Sequence, residues 1–120
     1  MAKILIVDDV YSELQLMQNA LAPLGHDIIT AMDGLEAEKK IIDEKPDVVV
    51  LDVLLPQKNG FQICRDIKNK EETKNIPIIL VSSKNQDSDK FWGKKQGADE
   101  YLAKPFKPQE LIEVVVKFLE

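Results

Sequence analysis

The sequence predicts one α/β domain: a five-stranded parallel sheet with helices on both faces. Three observations carry this. Short runs of β-branched and aliphatic residues alternate five times with stretches of helical spacing, and right-handed crossovers then place helices on both faces. The central runs are apolar on consecutive positions, as in strands that are covered on both sides. A chain of 120 residues, 44% of them hydrophobic, has enough apolar surface for one core and no room for a second domain. Residues 1–120 therefore read as a single domain with no linker or repeat.

The first strand is expected at 4–7. Leu14, Met17, Leu21 and Leu24 then fall at i, i+3, i+7 and i+10, a helical stripe, with Ser12 and Gln15 at capping-box spacing. A second strand at 28–31 leads to a weaker helix at about 34–44. The third strand, 48–51, is Val-Val-Val-Leu and runs straight into Asp52. Helix 61–68, strand 76–81, helix 88–95 and a short strand 101–103 follow. The last helix carries Leu111, Val114, Val115, Phe118 and Leu119, with Pro108 suited to its first turn. Gly25, Pro46, Pro77 and Gly97 punctuate the joins.

Charge and composition remove several classes of function. A net charge of −5 provides no general basic field for nucleic acid or an anionic membrane. The amino terminus has only four apolar residues before two acids, too few for a signal-peptide core, and no run approaches membrane-spanning length. A cytoplasmic protein without membrane insertion is expected. Cys64 is the only cysteine, which excludes a disulfide within the chain and suits a small buried residue on a helix.

Ligands of open α/β sheets bind beyond the carboxyl ends of the strands, so the residues at those ends matter most. Asp8 and Asp9 follow the first strand, Asp52 the third, Ser82 and Ser83 the fourth, and Lys104–Pro105 the fifth. Strand two ends in Met32 and Asp33, which suits a peripheral position. Each piece alone has a plainer reading: Asp-Asp as a helix cap, Ser-Ser as loop chemistry, Lys-Pro as a turn. Together they place three carboxylates, a hydroxyl and an amine on one rim. Three negative charges balance a divalent cation and one ammonium, and hard oxygen donors favour magnesium over zinc. Such a rim suits phosphoryl transfer, in which a carboxylate can be the covalent acceptor.

Val-Asp-Asp at 7–9, LDVLLPQKNG at 51–60, VSS at 81–83 and YLAKPF at 101–106 resemble the receiver domains of two-component response regulators. The likeness extends from the first strand to the last helix, as in single-domain CheY-like regulators, with no effector domain. The stretch SSKNQDSDKFWGKKQGADEYLAKPF is more particular and resembles PilH-type regulators of type IV pilus motility. The resemblance implies a flavodoxin-like strand order 2-1-3-4-5 and a phosphoacceptor protein rather than an enzyme. It implies that Asp52 accepts a phosphoryl group from a histidine kinase or phosphotransfer protein. Asp8, Asp9, Asp52 and the backbone carbonyl of Leu54 would hold Mg2+. Ser82 would be the switch hydroxyl, Lys104 the phosphate contact and Tyr101 the aromatic reporter of phosphorylation. Lys104–Pro105 would be cis, and Gly60 would adopt a backbone conformation forbidden to other residues. Leu54 and Lys84 would tune the lifetime of the acyl phosphate, with Lys84 a flexible cation near the rim.

Output would use the face from the fourth to the fifth helix, where Phe91, Trp92 and Lys95 lie and Lys90 and Lys94 add charge. For Trp92, packing between helix and sheet is the alternative. His26 falls away from the rim, and Asp33 and Asp87 suit turns or caps. Two other functions compete. A haloacid-dehalogenase-type phosphatase needs a second Asp two residues after the nucleophile, where this chain has Leu54. A pseudo-receiver would bind partners without phosphorylation, although every matching position here holds a competent residue type. Nucleotide-binding glycine motifs are absent from the sequence.

Overall fold

The computed structural model describes residues 1–119. Strands β1 (Lys3–Val7), β2 (Asp27–Ala31), β3 (Val48–Asp52), β4 (Ile78–Ser82) and β5 (Glu100–Ala103) alternate with helices α1 (Tyr11–Leu21), α2 (Gly34–Glu44), α3 (Gly60–Lys68), α4 (Asp87–Lys95) and α5 (Pro108–Val116). All strand pairs are parallel and the order is β2-β1-β3-β4-β5, the flavodoxin-like arrangement. The chain leaves β1 for one edge and returns through β3 toward the other. The crevice between the ends of β1 and β3 is therefore the topological switch point.

Strand alternation divides the core in two. Val48 and Val50 of β3 face α1 and α5 with Leu14, Met17, Leu21, Leu111 and Val115. Val49 and Leu51 face the other layer with Ala37, Ile41, Ile63, Cys64 and Ile67. β3 is thus buried along its whole length, which is why its sequence is apolar at consecutive positions. Cys64 is buried as expected, and burial pushes its thiol up to about 12.

Several boundaries differ from the sequence reading, each for a local reason. Helix α1 begins at Tyr11 with no side-chain cap, so Ser12 and Gln15 do not form a capping box. Instead the Asp8 carboxylate accepts the Val10 N–H (2.9 Å), and the Gln15 amide donates to the Tyr11 hydroxyl. Pro23 has no N–H to donate, and Leu24 lies in a 3-10 turn (Ala22–Leu24) rather than in α1. Asp33 does cap α2, accepting the Glu36 N–H at 2.8 Å. Asp87 is the first helical residue of α4, and Gln86 is its N-cap. β4 starts two residues late, after Pro77, where the Asp99 carboxylate takes the Ile78 N–H (2.8 Å).

Asp99 also binds the Lys68 ammonium (2.9 Å), which donates in turn to the Ile76 carbonyl (2.8 Å). One carboxylate therefore joins α3, the start of β4 and the entry to β5. Replacing it leaves a strand N–H and a half-buried ammonium without that acceptor. Asp99→Ala should lower the unfolding free energy by about 1–2 kcal/mol, readable as a shifted urea midpoint at unchanged m-value.

Candidate functional site

The carboxyl ends of β1, β3 and β5 bring Asp8, Asp52 and Lys104 together. Asp8 is fully buried and Asp52 is 5% exposed, while Asp9 faces solvent. One carboxylate oxygen from each of the three acids lies within 4.8 Å of the others, a spacing a single cation can span. All the donors are hard oxygens and one acid opens to water. The set therefore fits a magnesium ion that keeps part of its hydration shell.

The Lys104 ammonium reaches Asp8 (2.8 Å), Asp52 (3.2 Å) and Glu13 (2.5 Å). Burial opposes its charge, but the bonds from Asp8 and Glu13 and the field of Asp52 outweigh that and hold its pKa above the ordinary value. Asp52 goes the other way. Burial is the chief cause and Asp8 adds to it. Lys104 and the Leu54 N–H counteract, and its pKa is pushed up to about 6.

Glu13 is the member the sequence reading missed. With it, the rim holds four carboxylates against one ammonium, so the simple balance with a divalent cation no longer closes. A detectable signal existed: an acid in the first turn of α1, next to the Asp-Asp pair. Its half-open side chain leaves much of its charge in water, which limits the repulsion.

The other expected residues surround this centre. The Ser82 hydroxyl is buried at the end of β4 and accepts the Lys84 N–H (3.1 Å). The Lys104 N–H donates to the Ser82 carbonyl (2.8 Å), which joins the β4 and β5 ends, and Lys104–Pro105 is cis as expected. Tyr101 donates its hydroxyl to the Lys84 carbonyl (2.6 Å). Leu54 is 52% exposed, and its N–H donates to Asp52 (3.1 Å). A groove of about 760 Å3 opens from Asp9, Glu13 and Asp52 past Leu54 toward Phe106 and Leu111, between α1 and α5.

Three expectations change. Gly60 does not take a left-handed conformation; Gln57 does, at φ 73°. The requirement at Gly60 is steric, because a Cβ there would stand 2.4 Å from the Asp52 carbonyl oxygen. Lys84 sits beside Ser82, but its ammonium is not a free cation, since it faces Asp89 at 3.6 Å. Trp92 is not core: it is 51% exposed, and the inner face of α4 is occupied by Gly93 against Tyr101 and Leu80. His26 lies at the opposite end of the sheet, accepting the Ala2 N–H.

Five parallel strands in this order, with three acids and a lysine at the switch point, are the arrangement of receiver domains, which are phosphoacceptor signalling modules. The response regulator receiver domain family matches residues 4–116, and the chain belongs to that family. It is 42% identical to the protein PilH of Pseudomonas aeruginosa over 96% of this chain and 95% of PilH. The chemotaxis response regulator CheY4 of Vibrio cholerae superposes with a TM-score of 0.91 at 34% identity, covering 99% of each chain. The receiver domain of the sensor histidine kinase PA1611 of P. aeruginosa superposes at 0.89 with 27% identity, covering 98% of this chain and 96% of the other. That structure is described with a magnesium ion coordinated in the active-site cleft.

The raised pKa of Asp52 has a thermodynamic consequence. Its folded value lies above the unfolded 3.8, so the ionised carboxylate weakens the fold fully above about pH 6 and not at all below pH 3.8. Without divalent cations, Asp52→Asn should therefore be more stable than wild type at pH 7, by about 3 kcal/mol. The advantage should shrink steadily between pH 6 and pH 4, which thermal melts across that range would show.

Proposed function

We propose that this chain is a phosphorylation-controlled switch that takes a phosphoryl group on Asp52 from a phosphohistidine of a kinase or phosphotransfer protein. The observation that carries this reading is a nearly buried carboxylate, Asp52, held beside the buried Asp8 and Lys104 at the switch point of the sheet. An Asp52 oxygen forms the bond to phosphorus as the bond from phosphorus to the histidine nitrogen breaks, leaving an acyl phosphate and a free imidazole. Asp8, Asp9, Asp52 and the Leu54 carbonyl would hold Mg2+, which supplies charge neutralisation for the phosphoryl oxygens.

Within the chain, Lys104 moves from its carboxylate partners toward a phosphoryl oxygen, and the Ser82 hydroxyl bonds to another. Lys84 follows Ser82 through its N–H, and Tyr101 follows Lys84 through its carbonyl. Tyr101 underlies α4 at Gly93, so the output face from α4 to α5, including Phe91, Trp92 and Lys95, senses the change. Two arrangements a few kcal/mol apart suffice for such a response. The groove between α1 and α5 ends at Asp52, which suits it to admit the phosphodonor. Similarity to PilH and to a chemotaxis regulator supports a role in motility or taxis, carried out in the cytoplasm.

Incubation with magnesium and acetyl phosphate tests the reading. Wild type should gain one phosphoryl group by intact-protein mass spectrometry, and Asp52→Asn or chelation should abolish it. An unlabelled wild type would favour a phosphorylation-independent binding module, and rapid multiple turnover would favour a phosphatase.

The exposed Leu54 presents no polar group that could orient an attacking water, so self-dephosphorylation should be slow. Leu54→Asn should shorten the acyl-phosphate half-life several-fold. An equal or longer half-life would refute the assignment of Leu54 as a lifetime determinant.

A further inference from the structure

Among the described residues, most cations outside helix α4 are paired with an acid, and Lys45, Lys70 and Lys107, which are not, are scattered through the chain. Lys58 faces Glu38 and Asp66, Lys68 faces Asp99, Lys84 faces Asp89 and Lys104 faces three acids. Among the described residues, Lys90, Lys94 and Lys95 of α4 and Arg65 of α3 have no carboxylate partner. Most acids near them are already engaged, Asp66 with Lys58, Asp99 with Lys68 and Asp89 with Lys84, while Asp87 lies at the far end of α4 from Lys94 and Lys95. A protein of net charge −5 thus keeps a local excess of positive charge on one helix pair.

The same place exposes its largest apolar side chains. Phe91 is 64% and Trp92 51% exposed, on consecutive positions of a nine-residue helix. Lys95 lies over the Phe91 ring, 5.9 Å from its centre. Trp92, Lys95 and Gln96 form one wall of an open cleft of about 460 Å3, and Arg65 and Asn69 of α3 form the other. Among the described residues, no acidic side chain lines it. Two adjoining exposed aromatics between unpaired cations are costly to leave in water and are typical of the anchors and rim of a protein interface.

We propose that the cleft between α3 and α4 is a docking site for an acidic protein segment that seats an apolar side chain against Trp92 while its carboxylates meet Arg65 and Lys95. Charge complementarity selects this occupant. The cleft supplies two cations without a competing acid, whereas the surrounding negative charge repels a long polyanion such as nucleic acid. Gly93, one residue from Trp92, has no side chain because Tyr101 and Leu80 press against α4 there: a Cβ would lie 2.8 Å from the Tyr101 ring. Rearrangement of Tyr101 therefore acts on α4 beside the anchor residue. This inference rests on the output-face reading for the choice of helix, but its test needs no phosphoryl transfer, so the two can fail separately.

Trp92 is the only tryptophan, so its emission reports the site directly. The full chain would be titrated with a synthetic peptide of Glu and Asp residues around a central Leu-Phe pair. The controls are the same peptide with Gln and Asn in place of the acids, and single-stranded oligothymidine. The acidic peptide should shift Trp92 emission saturably, weaken with salt, and bind the R65Q/K95Q double variant about tenfold less tightly. Trp92→Ala, followed by calorimetry, should lose binding. Both variants alter exposed side chains, and matching circular dichroism melts would confirm that they fold. An absent or unsaturable shift, equal binding of the neutral peptide, unchanged affinity in the double variant, or equal competition by oligothymidine would each overturn the proposal.

Discussion

Two acids with almost no access to water end adjacent strands, and the ammonium of Lys104 is what lets them do so. Asp8 and Asp52 would otherwise repel one another in a setting where neither charge is solvated. Lys104 arrives from the far side of the sheet and bonds to both. The arrangement depends on β5 lying in register beside β4, with Ala103 level with Ser82. The Asp99 carboxylate, which takes the first N–H of β4 and binds Lys68 of α3, ties down the other end of the same strand pair.

Asp52 shows how the hydrophobic core serves the site. Its strand is covered on both faces, so the backbone that carries the carboxylate has little freedom to move. The next turn is held by backbone bonds from Val53 to Val81 and from Gly60 back to Val53. Gly60 matters here through its missing side chain, which lets α3 begin close against the strand end. Rigid placement of the acceptor contrasts with the single hydrogen-bonded chain from Ser82 through Lys84 to Tyr101, where movement is easier to accommodate.

Residues at strand ends were legible in the sequence because one simple rule, that parallel strands present their carboxyl ends together, places Asp8, Asp9, Asp52, Ser82 and Lys104 at once. The consecutive Val-Val-Val-Leu run gave the covered central strand for the same reason. Glu13 escaped because its contribution depends on how α1 is rotated, and that rotation follows from the Asp8 carboxylate starting the helix at Tyr11 rather than from a Ser12 cap. The exposure of Trp92 was equally hidden. Periodicity alone does not reveal that Gly93 takes the inner face of α4 and leaves its bulky neighbour outside. Gly60 was identified as special from its position, but the kind of constraint it meets is visible only with the Asp52 carbonyl in place.

The three acids around Lys104 also bear on how a change of charge is handled. An ammonium that already has partners does not need to be ordered from a mobile state when a new anion arrives. It exchanges one set of oxygens for another, and its side-chain entropy is already lost in the resting protein. Glu13, the most solvated of its partners, is the easiest to release, because water can take over the bond it loses. The resting contact therefore works as a holding position, keeping the lysine oriented while leaving it free to trade partners at small net cost.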